Sequence, residues 1–244
     1  MLTKTQVKYI QSLGQKKFRD EHGQFIAEGP KVVAEFLTNS LIQVKELYAV
    51  KNWVEENKEK YPGTAITVVE DYELEKISRL NTPNQVVLVA DIPVLSGVPE
   101  LKGKISLALD TIQDPGNMGT IIRIADWFGV DQLICSPDCV DIYNPKVVQA
   151  TMGSLARIRV SYSDLDRVFR ERNGVKLYAA SLSGTDIRKM PKLEEGIILI
   201  GNESKGIHDS LLALSDERIT IARKGNAESL NAAVATGIIL SRLT

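Results

Sequence analysis

Three polar segments, each of which follows an apolar run typical of a strand, hold the side chains that could do chemistry. The first is DPGNMGTIIR, residues 114–123, the second is GNESKG, residues 201–206, and the third is Ser229-Leu230-Asn231. In open parallel sheets, ligands bind beyond the carboxyl ends of the strands. The three segments therefore predict a ligand site formed by amide, hydroxyl, carboxylate and guanidinium groups at such an edge.

The first segment has the residue types that start a helix after a strand. Asp114-Pro115-Gly116 is typical of a turn. Asn117 is suited to cap the following helix, predicted near Gly119–Phe128, which would leave free backbone N–H groups at its start. Arg123 follows on the second turn. Taken alone, this pattern is more typical of a capped helix with one surface arginine than of a site.

The second and third segments are equally open to plain structural interpretations. The Walker pattern places four residues between its first glycine and a Gly-Lys-Ser/Thr element, whereas Lys205 precedes its glycine, so ATP binding is not expected. The alternative is a turn leading into a helix near His208. The third segment opens a helix of small residues, typical of a core helix, and its polar start is the exception. No Gly-x-Gly-x2-Gly follows the first strand of either half, which argues against a Rossmann NAD enzyme.

The elements that must position these segments alternate between strand and helix along the chain, which predicts an α/β fold. Residues 1–91 form one such series, and residues 105–244 form a second. Residues 92–104 hold two prolines and two glycines with little periodicity, so they are the predicted linker. Apolar strands such as GIILIG indicate a parallel sheet buried on both faces. The predicted strands of the second series lie near 105–109, 132–135, 157–161, 176–181, 197–200 and 218–222.

Composition narrows the class of protein. The chain has 244 residues, 43% hydrophobic and 25% charged, as in soluble globular proteins. It has no apolar run of about 18 residues and no apolar secretory leader, so no membrane span and a cytoplasmic location are expected. Two cysteines, Cys135 and Cys139, and two histidines do not favour a disulfide framework or a structural metal.

Charge alone does not indicate a nucleic-acid partner, because the net charge is −1. Residues 1–31 are the exception, with six positive and three negative side chains. A solvated helix face is the alternative explanation for this local excess.

Taken together, in their order and spacing, the three segments resemble the motifs of the SpoU family of RNA 2′-O-methyltransferases, within the SPOUT superfamily. Asn117-x-Gly119-x3-Arg123 is similar to the first motif and Gly201-Asn202-Glu203-x2-Gly206 to the second. The glycine loop with Ser229-Leu230-Asn231 is similar to the third. The resemblance covers about residues 105–244. Residues 16–33 also resemble, through Arg19, Phe25, Glu28 and Gly29, the opening of a substrate-binding domain similar to a small ribosomal-protein RNA-binding fold.

This resemblance implies a fold and an activity. The expected fold is a C-terminal parallel-sheet domain with a deep trefoil knot, which sequence rules alone would not propose, plus a smaller N-terminal α/β domain that binds RNA. The expected activity is S-adenosylmethionine-dependent methyl transfer to a ribose 2′-hydroxyl in structured RNA, by a homodimer that needs no metal. Ribosomal RNA is the expected substrate, transfer RNA is second, and a non-catalytic RNA-binding paralogue is the alternative function.

The resemblance also assigns residues. The expected catalytic residues are Asn117, Arg123, Glu203, Ser229 and Asn231. The expected cofactor contacts, largely through backbone, are Ile200, Gly201, Asn202, Ile221 and Leu230, and the expected RNA contacts are Lys16, Lys17 and Arg19. Arg223 and Lys224 stand where many members have proline or methionine, and they either add positive charge beside RNA or are solvated.

The role of Arg123 has two interpretations. No histidine lies in any motif, and the resemblance points to Arg123 as the base that accepts the hydroxyl proton. Arginine side chains have a reference pKa of about 12.5 or higher, so deprotonating one at pH 7 costs about 7 kcal/mol. The alternative is that the guanidinium stays charged, binds the adjacent phosphate and orients the hydroxyl.

Overall fold

Strands and helices alternate along both halves of the chain, which confirms the predicted α/β class. The computed structural model describes residues 1–39, 42–94 and 99–244. These divide into two units, Met1–Val94 with Asp141–Arg157, and Leu95–Val140 with Ile158–Thr244. Part of the predicted linker, residues 95–98, lies outside the described residues. No helix in the described part of the chain is long and apolar enough to cross a membrane.

The first unit is built on a four-stranded mixed sheet in the order β1-β4-β2-β3. β4 runs antiparallel to both β1 and β2, and β2 runs parallel to β3. The strands are β1 (Gln24–Glu28), β2 (Val44–Val50), β3 (Ile66–Val69) and β4 (Val86–Asp91). The helices are α1 (Lys4–Ser12), α2 (Lys16–His22), α3 (Pro30–Leu37), α4 (Lys51–Asn57), α5 (Asp71–Ile77) and α7 (Pro145–Ala150).

Local sequence explains where several of these helices begin and end. Thr3 and Gln6 form a reciprocal capping box at the start of α1. Pro30 is the first residue of α3, where its missing N–H is not needed. Gly23 ends α2 with φ of 63°, a left-handed conformation that favours glycine. The sequence did not predict α2, because its seven residues are mostly polar.

Arg19, predicted to contact RNA, lies instead inside the first unit. Its side chain is 2% exposed, and its Nη2 lies 2.6 Å from Oδ2 of Asp141, which is 15% exposed. Nε donates to the same oxygen at 3.0 Å, and Nη1 donates to the Leu13 carbonyl at 2.8 Å. A guanidinium with its hydrogen bonds satisfied internally has no surface to offer RNA. The predicted RNA contact is therefore corrected to an internal ion pair that joins α2 to residue 141.

We expect Arg19→Met to lower the free energy of unfolding by about 3 kcal/mol, because removing one partner leaves Asp141 poorly solvated and unpaired. Urea denaturation measures this change. The matched control is Lys16→Met, which removes a cation whose ion pair with Asp20 is largely exposed and so changes stability by at most about 1 kcal/mol. Equal stability of the two variants would contradict the structural role of Arg19.

The second unit is built on a six-stranded parallel sheet in the order β10-β8-β9-β5-β6-β7. The strands are β5 (Ile105–Leu109), β6 (Gln132–Cys135), β7 (Arg159–Tyr162), β8 (Leu177–Asp186), β9 (Gly196–Ile200) and β10 (Glu217–Thr220). The helices are α6 (Pro115–Trp127), α8 (Leu165–Arg170), α9 (Asp209–Leu212) and α10 (Ala232–Leu243).

The strand order places the polar segments. The chain leaves β5 towards β6 and β7 on one side and returns to β8, β9 and β10 on the other. The order therefore switches direction beside β5 and β9, where open α/β sheets bind ligands. Both strands are buried along their whole length, as a parallel sheet covered on both faces requires. The first and second polar segments follow these two strands.

Two helix starts differ from the prediction. α6 begins at Pro115, and its cap is Asp114, whose Oδ1 accepts the Asn117 backbone N–H at 2.8 Å. Asn117 therefore lies inside the first turn, and its side chain is free for other contacts. α10 begins at Ala232 rather than near Ser229, because Asn231 is its cap.

Candidate active site

Asn117 is the point where the three polar segments of the second unit meet. Its amide Nδ2 donates a hydrogen bond to Oε1 of Glu203, in the second segment. Its Oδ1 accepts a hydrogen bond from Nδ2 of Asn231, in the third segment, at 2.8 Å. The structure thus joins three of the five predicted catalytic residues in one chain of side-chain hydrogen bonds.

Asn231 holds its place through both ends of its amide. While Nδ2 reaches Asn117, Oδ1 accepts the backbone N–H groups of Ala233 and Val234 at 3.0 and 3.3 Å. The cap thereby fixes the start of α10, a helix that packs on α6. The hydrogen bond between Asn231 and Asn117 therefore links the start of α10 to the first turn of α6.

The second polar segment is a tight loop with its own internal bonding. Asn202 and Gly206 pair through reciprocal backbone hydrogen bonds of 3.0 and 2.9 Å. Asn202 Oδ1 accepts the N–H groups of Ser204 and Lys205, and its Nδ2 donates to the Thr111 carbonyl at 2.9 Å. A Cβ on Gly201 would collide with the backbone of Gly206, so only glycine permits this approach.

A buried carboxylate, Asp110, ties the loop after β5 to the end of the second segment. Asp110 is 2% exposed. Its Oδ2 accepts the His208 backbone N–H at 2.8 Å, and Nδ1 of the His208 ring lies 2.9 Å from the Asp110 carboxylate. Thr111 donates its hydroxyl to Oδ1 at 3.0 Å. Asp110 was not among the predicted site residues, although an acidic residue directly after an apolar strand was a usable signal.

The two cysteines lie against the same loop, and Cys135 is the last residue of β6. Both are free and buried. Sγ of Cys139 accepts the Ile112 N–H and donates to the Leu109 carbonyl, each at 3.3 Å. A hydrogen bond from Cys135 lowers the pKa of Cys139 to about 7 against the opposing effect of burial, and the same bond raises the pKa of Cys135.

Arg123 and Ser229 are placed differently from the other predicted catalytic residues. Both are exposed, and within the described residues neither makes a hydrogen bond or an ion pair. Arg123 lies on α6, the helix that carries Asn117. An exposed guanidinium on the helix of Asn117 and an exposed hydroxyl two residues before Asn231 are available to a ligand, which is what a residue that acts on substrate needs.

The predicted cofactor contacts fall at the ends of strands and of one loop. Ile200 is buried at the end of β9, and its carbonyl accepts the Asp110 N–H at 2.9 Å. Ile221 is half-buried after β10, and Leu230 is 44% exposed at the far end of the same loop. Arg223, in that loop, donates to the Ala227 carbonyl at 3.2 Å, and Lys224 is exposed. In the described part of the chain, no group of three or more potential metal ligands comes together.

Comparison with protein families gives two matches that together cover most of the chain. Residues 104–241 match the SpoU rRNA Methylase family, and residues 4–88 match the MRM3-like substrate binding domain. The chain is 31% identical over 245 residues to the 23S rRNA (guanosine(2553)-2'-O)-methyltransferase RlmP of Bacillus subtilis, covering 97% of this chain and 95% of that protein.

Solved structures agree with these matches. A putative RNA methyltransferase of the TrmH family from Porphyromonas gingivalis superposes with a TM-score of 0.88 at 33% identity, over 100% of this chain and 98% of that one. An rRNA methyltransferase from Sinorhizobium meliloti, solved with AdoMet bound, superposes with a TM-score of 0.85 at 32% identity, over 100% and 95% of the two chains.

Proposed function

Because this chain belongs to the SpoU rRNA methylase family and is an S-adenosylmethionine-dependent RNA methyltransferase, we propose that it methylates a ribose 2′-hydroxyl of ribosomal RNA with Arg123 at the centre of the chemistry. The observation that carries the proposal is the Asn117 bridge between Glu203 and Asn231. It brings residues of the three motifs together in the first turn of α6, the helix that carries Arg123, whose exposed side chain makes no hydrogen bond or ion pair among the described residues.

The apolar residues at the two ends of the loop between β10 and α10 are suited to contact the cofactor. Leu230 leaves 44% of its surface exposed although it is apolar, and Ile221 is half-exposed at the other end of the same loop. Apolar side chains with a few fixed polar groups are what small-molecule sites offer. Ile200, Gly201 and Asn202 would add backbone contacts from the second loop. When bound, S-adenosylmethionine supplies an activated methyl group on a sulfonium.

The side chains of this protein must then orient the ribose hydroxyl and accept or stabilise its proton. On methyl transfer the hydroxyl proton would pass to Arg123 if that residue acts as the base, or to solvent if Arg123 acts as a charged clamp. Asn117, Glu203 and Asn231 act as positioning residues, because their polar atoms are engaged with one another and with α10. Arg123 and Ser229 are the groups free to contact substrate.

Ribosomal RNA is the proposed substrate because a relative that matches along nearly the whole chain is named for 23S rRNA. Lys16 and Lys17, at the start of α2, are proposed phosphate contacts: both are exposed, Lys16 pairs with the exposed Asp20, and Lys17 lies over the Phe18 ring. Such exposed pairs are weak enough for a phosphate to replace them. Arg223 and Lys224 are further candidates. We place the enzyme in the cytoplasm and propose that its C-terminal domain carries the family's knot.

A labelled-methyl assay tests the substrate directly. The enzyme and S-adenosylmethionine carrying a tritiated methyl group are incubated separately with ribosomal RNA and with transfer RNA from a strain that lacks the gene. We expect label in ribosomal RNA only. Label confined to transfer RNA would overturn the substrate, and no label in either would favour a non-catalytic RNA-binding paralogue.

A homodimer is part of the proposal, supported by apolar surface on two packed helices. α6 and α10 contact each other, and they expose Trp127 by 83%, Val234 by 50% and Ile238 by 38%. Exposed large apolar residues gathered on one element pair are typical of a protein interface. A buried tryptophan commonly anchors such a contact.

We expect Trp127→Asp to convert the dimer to a monomer, because an aspartate carboxylate would have to be desolvated at the centre of the interface. Light scattering on a sizing column measures the mass. The matched control, Val68→Asp on β3, changes an exposed apolar residue of the first unit and should leave the mass unchanged. A wild-type protein that elutes as a monomer would contradict the dimer itself.

A further inference from the structure

The first unit contains a cleft that the site in the second unit does not use. Its volume is about 240 Å³, and it opens at the carboxyl end of β1, between that strand, the chain after α5 and helix α7. Its apolar walls include Leu80 and Val148, and its polar lining comprises Glu28, Arg79, Lys146 and Gln149. Pockets for drug-sized ligands occupy about 300–1,000 Å³, so this cleft suits a single planar ring system.

The floor of the cleft is a carboxylate held in place by its neighbours. Glu28 is 4% exposed. Oε2 accepts the Ser78 hydroxyl, and Oε1 accepts the Arg79 backbone N–H at 2.8 Å. The Leu80 backbone N–H also contacts this carboxylate. A carboxylate can accept about four hydrogen bonds in total, so one acceptor position remains open. A ligand edge with adjacent N–H donors can fill it, whereas an acceptor atom facing the carboxylate would be repelled.

The rim of the cleft carries groups without partners in the described structure. Lys146 is exposed and Gln149 is half-buried, and among the described residues neither side chain makes a hydrogen bond or ion pair. Arg79 is exposed, and its guanidinium is fixed by the Gln11 carbonyl. The rim thus offers an ammonium for a phosphate and an amide for a carbonyl, above a floor that accepts N–H groups.

We propose that this cleft binds the base of one unpaired guanosine in the RNA substrate, with Glu28 accepting from its N1 and N2 edge and Lys146 contacting its phosphate. The inference rests on the proposed function in RNA methylation. Sequence-specific RNA recognition commonly takes splayed-out bases and reads their Watson–Crick edges. Guanine has two adjacent donors on that edge, and its O6 is an acceptor to which the amide of Gln149, another lining residue, can donate. The other three bases offer at most one donor beside an acceptor.

The test uses the full chain and fluorescein-labelled RNA pentamers UUGUU, UUAUU, UUCUU and UUUUU, with binding followed by fluorescence anisotropy. Wild type should prefer UUGUU by about tenfold, the usual value of a good base-edge contact. Gln149→Ala should reduce that preference severalfold. Lys146→Ala should weaken all four pentamers to a similar extent and lower the salt dependence. Lys58→Ala, which removes an exposed lysine elsewhere in the first unit, is the matched control and should change nothing.

Equal binding of the four pentamers by wild type, or an unchanged UUGUU preference in Gln149→Ala, would overturn the proposal that the cleft binds a guanosine. Displacement of UUGUU by GMP at the same concentration as by unlabelled UUGUU would also overturn it, in favour of a free nucleotide. The same proteins are assayed for methyl transfer to ribosomal RNA. Absence of transfer by wild type counts against the proposed function, whereas the pentamer preferences alone decide the cleft, so the two failures are distinguishable.

Discussion

Arg123→Ala is expected to abolish methyl transfer, with a loss in kcat/KM of about a thousandfold or more, while S-adenosylmethionine still binds. Positioned proton transfer contributes about 10²–10⁴-fold to rate, and Arg123 also supplies the charge that would hold the RNA. The side chain is exposed and makes no hydrogen bond or ion pair with the described residues, so its removal leaves no buried partner behind. Stability should change by about 0.5 kcal/mol or less.

The matched control is Arg159→Ala, which removes an exposed arginine from β7, at the opposite edge of the sheet from β10. Transfer by this variant should equal that of wild type. Isothermal titration with S-adenosylmethionine and an initial-rate assay on ribosomal RNA separate binding from turnover. Near-normal turnover by Arg123→Ala would refute both the base and the phosphate-clamp interpretations.

Arg123→Lys distinguishes the two interpretations. Free lysine side chains titrate near pH 10.4, about two units below arginine. If the residue acts as a base, the lysine variant should recover activity as the pH is raised towards 10. If it is a charged clamp, the variant should show no recovery, because both side chains stay protonated over most of the range and lysine lacks the planar fork of arginine.

The second large effect is expected when the hydrogen bonds of Asn117 to Glu203 and Asn231 are removed. Glu203→Ala and Asn231→Ala should each lower kcat about 10- to 100-fold, the equivalent of the 1–3 kcal/mol that loss of a partly buried hydrogen-bond partner costs. Both residues act through Asn117, so the double variant should lose less than the product of the single losses. Circular dichroism should show an intact fold. Glu194→Ala, an exposed carboxylate in the second unit, is the matched control.

Wild-type turnover in both single variants would show that the hydrogen bonds at Asn117 do not position the reacting groups. A full multiplicative loss in the double variant would also contradict the shared route through Asn117. In that case each residue would act independently on substrate or cofactor.

Short-range patterns predicted most of the fold. The strands Ile105–Leu109 and Gln132–Cys135 have the bounds that the sequence predicted, and Ile105–Leu109 is buried along its whole length, as expected of an apolar strand in a parallel sheet covered on both faces. Helix boundaries that depend on a single capping side chain were harder to predict. Asp114 rather than Asn117 caps α6, since both residue types cap helices well and only the turn geometry decides between them.

The periodicity of apolar residues could not predict contacts between residues that are far apart in the sequence. Arg19 is separated from Asp141 by 122 positions, so a local count of positive charges could not show that this guanidinium is internal. Asn117 likewise meets residues 86 and 114 positions away. The three motifs were grouped through their resemblance to a family, and hydrogen-bond geometry now gives the physical reason for the grouping.

The central claim is ribose methylation that depends on Arg123, and nucleoside mass spectrometry of ribosomal RNA tests it most directly. RNA is taken from a strain lacking the gene and from the same strain carrying either wild type or Arg123→Ala. We predict that one 2′-O-methylnucleoside is missing from the deletion strain, returns with wild type and does not return with Arg123→Ala. A full set of 2′-O-methylnucleosides in the deletion strain, or the loss of a base-methylated nucleoside instead, would contradict the account.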